Sequence, residues 1–188
     1  MSDLTPFSTV GPFFKLLVRN RAEGTDCLVS DATRGDRITV RGVLFDGNGA
    51  PVNDGLVEIW QADASGHYHH PGDADRETAD PAFSGFGRAA TDSAGSFAFR
   101  TIKPGLVRGA DGQSQAPHIL VSVMARGVMS RCWTRMYFDG EPLNGSDPIL
   151  PLIPIERRKT LIARRAADGS YEFNVVLQGE RETVFFEA

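Results

Sequence analysis

The chain has 188 residues, 41% hydrophobic and 23% charged, with a formal net charge of −4. This suits one globular domain and excludes a chain disordered throughout. Neither a membrane helix nor a signal peptide is expected: no apolar run reaches roughly 20 residues, and Met1-Ser2-Asp3 leads no basic segment into an apolar one. A mildly acidic chain with scattered charge is a poor nucleic-acid binder. Two cysteines far apart, Cys27 and Cys132, fit a cytoplasmic protein with free thiols.

Residues 1–34 show little alternation and hold Gly11-Pro12, so they read as an extended arm with a short helix around Phe13–Arg19. Asp36–Asp46 alternates as a strand does, and Asp46-Gly47-Asn48-Gly49 is a turn. Gly55–Ala62 is a second strand. Gly87–Thr91 and Ser96–Thr101 flank Asp92-Ser93-Ala94-Gly95 and read as a hairpin. His118–Ala125 is rich in β-branched residues and reads as buried on both faces. Cys132–Phe138, Ser170–Leu177 and Arg181–Phe186 complete about eight strands. A helix is expected from Pro154 across Ile155–Ala167, ending at Asp168-Gly169. The expectation is an all-β chain: one domain over 1–188, with an arm at 1–34, a β-sandwich core at 36–187 and one or two short helices.

The densest chemistry lies in Gly66-His67-Tyr68-His69-His70-Pro71. Imidazole ligates Zn, Cu and Fe, and tyrosinate is a hard ligand suited to Fe(III). In an extended segment, however, His67 and His69 point one way and Tyr68 and His70 the other. The residues alone leave both an ordinary polar loop and a ligand cluster open. His118 opens a strand and fits a ligand, a general base or a structural hydrogen-bonder. Cys27 and Cys132 lack the basic surroundings of a nucleophile. The sequence has no GxSxG elbow, Walker motif or GxGxxG after a strand, so serine hydrolysis and nucleotide binding have no support.

Several segments together carry a resemblance: Val40-x-Gly42, Leu44, Gly49, Val52, Val57-Glu58-Ile59, Gly66-x-Tyr68, Gly85-x-Gly87-Arg88, Thr91-Asp92-x-x-Gly95 and Thr101-Ile102-Lys103-Pro104-Gly105. The set resembles the intradiol ring-cleaving dioxygenases, over roughly residues 5 to 187. The resemblance implies a transthyretin-like β-sandwich and a non-haem Fe(III) site held by two tyrosinates and two neutral imidazoles. Such a site opens a catechol ring between its hydroxyl-bearing carbons with O2.

Against that ligand set, Tyr68 matches the first tyrosine and His118 the first histidine. The stretch after Lys103-Pro104-Gly105 runs to Pro117 without a tyrosine, the second histidine position is Leu120, and an expected arginine is replaced by Gln115. The family's heteromeric branch pairs a catalytic β subunit with a homologous α subunit that lacks the iron. Ala116-Pro117-His118-Ile119, Ala125-Arg126-Gly127, Thr134-Arg135-x-Tyr137-Phe138 and Gly179-Glu180-x-Glu182-Thr183-Val184-Phe185-Phe186 resemble the α type. This implies a chain with no catalytic or metal-binding residue of its own, Tyr68 and His118 being vestigial ligand positions. The Fe(III) would sit in the β partner, where protocatechuate and O2 become 3-carboxy-cis,cis-muconate in aromatic catabolism. Thr9, Gly11, Pro12 and Arg135 would line that pocket at the α–β interface, within a higher-order heteromer. Their chemistry suits a pocket wall, since Gly-Pro gives a side-chain-poor backbone, threonine a hydroxyl, and arginine a permanent cation for a carboxylate-bearing substrate. Two other readings are an independent catechol dioxygenase rebuilt around Tyr68, His118 and the histidines at 67–70, and a non-enzymatic transthyretin-like assembly module.

Overall fold

The computed structural model describes residues 8–11, 13–14, 25–109 and 112–186. Most of the helix expected around Phe13–Arg19 lies outside them. The alternating stretch becomes β1 (Arg37–Phe45), which buries Val40 and Leu44. It pairs antiparallel with β4 (Ser96–Ile102) and parallel with two short strands, β10 (Tyr171–Glu172) and β11 (Val175–Val176). A second antiparallel layer runs β3 (Phe86–Ala90), β2 (Leu56–Trp60), β7 (His118–Met124) and β8 (Cys132–Phe138). β9 (Ile162–Arg165) lies parallel to β8 and antiparallel to β10, so it links both layers into one hydrogen-bonded path. A hairpin of β5 (Val107–Arg108) and β6 (Ser114–Gln115) stands apart from that path.

Alternation places the core between the layers: Val40 and Phe99 on one side meet Ile59, Ile119, Val121 and Met136 on the other. This is the β-sandwich that the sequence led us to expect, nearly closed by β9. Both cysteines are free thiols. Among the described residues no helix is long and apolar enough to cross a membrane.

Four local expectations are corrected. Among the described residues the strands number eleven rather than about eight, because four of them are only two residues long. The Asp92–Gly95 turn forms, with Gly95 N–H donating to Asp92 O at 3.0 Å, but it does not make a hairpin. β3 pairs with β2 and β4 with β1, so the turn carries the chain from one layer to the other. β4 thereby pairs with the nine-residue β1 in place of the five-residue β3.

The expected helix over 155–167 is largely a strand. Ile155–Arg158 forms one α-turn and Lys159–Leu161 a 3₁₀ turn, after which β9 begins. Leu161 and Ala163 are fully buried, a period of two. β9 therefore takes the ladder positions beside Tyr137 and Phe138. Asp168-Gly169 turns β9 into β10, with Ala166 N–H donating to Ser170 O at 2.8 Å. Finally, Arg181–Phe186 forms no strand; it meets the sheet through the bridge between Trp133 and Phe186 and through hydrogen bonds from Thr183 N to Val176 O at 2.9 Å and from Thr134 Oγ1 to Val184 O at 2.7 Å.

Candidate functional site

Because Ile119, Val121 and Val123 of β7 face the core, His118, Leu120 and Ser122 face outward. The register sets His118 opposite Tyr137 and Leu120 opposite Arg135 on β8, with Trp60 of β2 on Leu120's other side. One row further along the same face, buried Glu58 is ion-paired to both Arg88 and Arg131. The Val57-Glu58-Ile59 and Gly85-x-Gly87-Arg88 segments therefore meet across β2 and β3.

Tyr68 reaches this face from the loop after β2. Its ring stacks on Trp60 at 5.6 Å between centroids and 13° between planes. Two glycines make the loop possible. Gly66 has φ +86°, and a Cβ there would lie 1.8 Å from Leu106 O. A Cβ on Gly105 would lie 2.7 Å from Gly66 N. The Gly66-x-Tyr68 and Lys103-Pro104-Gly105 segments thus pack backbone to backbone. Buried Asp63 fastens the loop: Oδ1 accepts from Ser65 N at 2.8 Å and His67 N at 3.1 Å, and Oδ2 from Asp80 N at 2.7 Å. Tyr68 N donates to Asp73 Oδ2 at 2.7 Å.

His118 is buried, its Nδ1 donating to Ala116 O at 2.7 Å. Its ring lies 5.8 Å from that of Tyr137, whose hydroxyl donates to Asp147 Oδ1 at 3.1 Å. Arg135 Nη1 donates to Gln115 Oε1 at 2.8 Å, so the residue standing in for an expected arginine accepts a hydrogen bond from an arginine of β8.

Burial controls the protonation states. It pushes the Tyr68 hydroxyl up to about 12, against a downward pull from Arg135 and with a smaller upward push from Asp73. It lowers His118 to about 4; the bond to Ala116 opposes this and Arg135 adds to it. Burial likewise raises Tyr137, although Arg135 opposes the shift. At neutral pH the cluster is two phenols, one neutral imidazole and one guanidinium that acts on all three.

These residues do not fit a ferric ion. Only Tyr68 and His118 stand at matching ligand positions, and Leu120 supplies no donor. The stretch that would carry the second tyrosine, Leu106–Gly109, instead lines a cleft of about 940 Å³ beside Trp60 and Tyr68. The other histidines do not converge on Tyr68. His70 meets Trp60 edge-on at 5.9 Å and its Nδ1 accepts from Gly72 N at 3.1 Å. His69 is exposed. His67 lies near Asp73 and Asp75, one ligand atom from each falling within 4.8 Å of the others, but Asp73 is already occupied by the N–H groups of Tyr68 and Asp75.

The arm lies elsewhere. Thr9 Oγ1 donates to Ala125 O at 3.3 Å and accepts from Gly127 N at 2.8 Å. Ala125 lies five residues beyond Leu120, roughly 17 Å at strand rise. Gly11 is exposed, with open space where a Cβ would point, and Pro12 lies outside the described residues. Within this chain, then, Tyr68, His118 and Arg135 are brought together, and Thr9 and Gly11 sit at the other end of β7. Sequence reading missed Asp63, Asp147, Trp60 and Tyr137. Asp63-Ala-Ser-Gly and Asp147-Pro carry an Asx-turn signal that marks the first two.

The family described as Dioxygenase matches residues 10–179. The protocatechuate 3,4-dioxygenase alpha chain of Pseudomonas putida is 41% identical, over 97% of this chain and 96% of that protein. The beta chain of the same enzyme from Burkholderia cepacia is 38% identical, over 93% of this chain and 75% of that protein. Among solved structures, the dioxygenase domain of a carbohydrate-binding fusion protein from Streptomyces sp. SirexAA-E superposes with a TM-score of 0.62 at 31% identity, covering 94% of this chain and 99% of that one.

Proposed function

The chain belongs to the intradiol ring-cleaving dioxygenase family, and on that premise we propose that it is the iron-free α subunit of a protocatechuate 3,4-dioxygenase. It pairs with a homologous β subunit, whose non-haem Fe(III) supplies the oxygen chemistry that turns protocatechuate and O2 into 3-carboxy-cis,cis-muconate. The observation that carries this reading is the mismatch at its own site: Tyr68 and His118 are in place, but Leu120 stands opposite Arg135 where a second imidazole is needed. A chain so close to both α and β relatives, yet unable to complete the ligand set, fits the non-catalytic partner.

This chain's contribution is to shape the partner's pocket. The Thr9 hydroxyl is spent on Ala125 and Gly127 and holds the arm in position. That leaves the exposed Gly11 backbone, followed by Pro12, to approach a flat aromatic ring closely. The Arg135 guanidinium is bonded to Gln115 and acts on the Tyr137 hydroxyl; with five N–H groups in all, it would meet an anionic substrate at the interface with those that remain. The two groups would reach the pocket from different ends of β7. We place the enzyme in the cytoplasm, as a higher-order heteromer of αβ protomers.

Expression with and without the β partner tests the proposal. Ring cleavage, followed by loss of protocatechuate absorbance, and the visible colour of a ferric tyrosinate should both require the partner. Stoichiometric iron and cleavage in this chain alone would overturn it.

A further inference from the structure

We propose that the Arg135 guanidinium is the resident cation of the Tyr68–His118 remnant, and that it keeps metal ions out. Every residue involved belongs to this chain, and none of its partner's is required. Arg135 lies on the outward face of β8, directly across from Leu120 and two residues from Tyr137. Its head group is held by Gln115 Oε1 at 2.8 Å. Around it stand the neutral dipoles that suit a half-buried cation: the Tyr137 and Tyr68 phenols and the His118 imidazole, whose Nδ1 is committed to Ala116 and whose Nε2 therefore carries the free lone pair. Trp60, stacked on Tyr68 and registered opposite Leu120, closes the side of the cluster.

A divalent or trivalent ion reaching for Tyr68 and His118 would have to settle on the same outward face as Arg135, beside a charge that cannot be titrated away. The water that screens such repulsion at an open surface is partly excluded here. Like charges in that position oppose binding even when donors are present. The loss of ligands and the presence of the guanidinium are thus separate barriers, and restoring an imidazole at position 120 removes only the first.

The full-length chain can be tested with Co(II) as the only probe, by equilibrium dialysis with metal analysis and by the ligand-field absorption of bound Co(II). Leu120→His alone, and Leu120→His with Arg135→Lys, should bind weakly. Leu120→His with Arg135→Gln, close in size but uncharged, should bind at least tenfold more tightly. The proposal is overturned if Arg135→Gln gives no gain over Leu120→His, whether both bind or neither does, or if the lysine variant binds as tightly as the glutamine variant. Should the double variants fail to fold, the single Arg135→Gln chain decides. Its Co(II) affinity should exceed that of the unmutated chain, and equal affinities would overturn the proposal.

Discussion

Burial raises the Tyr68 hydroxyl to about 12 although the Arg135 guanidinium pulls the other way, so the phenol keeps its proton at neutral pH. Between pH 10 and 12 the unfolded chain releases this proton and the folded chain does not, so stability falls as pH rises through that window, by roughly 2 kcal/mol in all. Tyr68→Phe keeps the stack on Trp60 and removes the titration. Urea midpoints from pH 9 to 12 should therefore fall less steeply in the variant, and identical slopes would refute the assignment. His118 works at the other end of the scale. With its pKa lowered to about 4, the folded chain binds fewer protons than the unfolded one between pH 6.5 and 4. Its contribution is complete above pH 6.5 and is lost on acidification, about 3 kcal/mol at most. His118→Gln should flatten the acid limb of the stability curve while leaving the neutral-to-alkaline limb unchanged in shape. Both residues are legible in the sequence through the motifs around them. The bond between Arg135 and Gln115 is not, because it joins residues 20 apart whose meeting depends on the β7–β8 register, which no local pattern states.

Single strands show where local reading succeeds and where it stops. β1, β2, β7 and β8 are visible because each alternates or is continuously apolar and each ends at turn residues. The segment after Pro154 reads as a helix because Arg, Ala, Leu and Ile serve a helix as well as a strand by propensity. The choice is made by β8, whose Tyr137 and Phe138 present a free parallel edge to Ile162 and Ala163. A similar long-range decision rests on Asp147, in the connection between β8 and that segment. Its Oδ1 accepts from the Tyr137 hydroxyl at 3.1 Å, Ile149 N at 2.9 Å and Leu150 N at 2.9 Å, and its Oδ2 accepts from Ala116 N at 2.8 Å. The carboxylate thus ties the mouth of β7 to β8 and to the 3₁₀ turn Leu150–Leu152. Asp147→Ala leaves buried donors unsatisfied, and a loss of roughly 3 kcal/mol is expected. Chemical denaturation measures it directly. A loss below about 1 kcal/mol, near that of a single ordinary hydrogen bond, would show that water replaces the carboxylate and that the three elements hold together without it.

At the scale of the whole molecule, two groups of residues stand at opposite ends of β7. At the mouth of β7 the remnant is filled by its own side chains, with His118 and Tyr137 buried and Arg135 half-buried. At the far end, Thr9 pins an arm on which Phe13 is 70% exposed. A large aromatic ring left in water beside a fixed anchor is what a partner surface would cover. On the reading that the β subunit docks there, covering this ring contributes on the order of 1.5–3 kcal/mol to association, equivalent to roughly a tenfold to hundredfold change in dissociation constant. Phe13→Ser should therefore weaken assembly with the β subunit by at least about tenfold in sedimentation velocity. The melting temperature of the isolated chain should stay the same, because a ring so exposed buries little against the described residues. A variant that assembles as tightly as the parent would place the docking surface away from the arm. One that melts markedly earlier would show that Phe13 packs against its own chain and that its exposure is not what draws the partner.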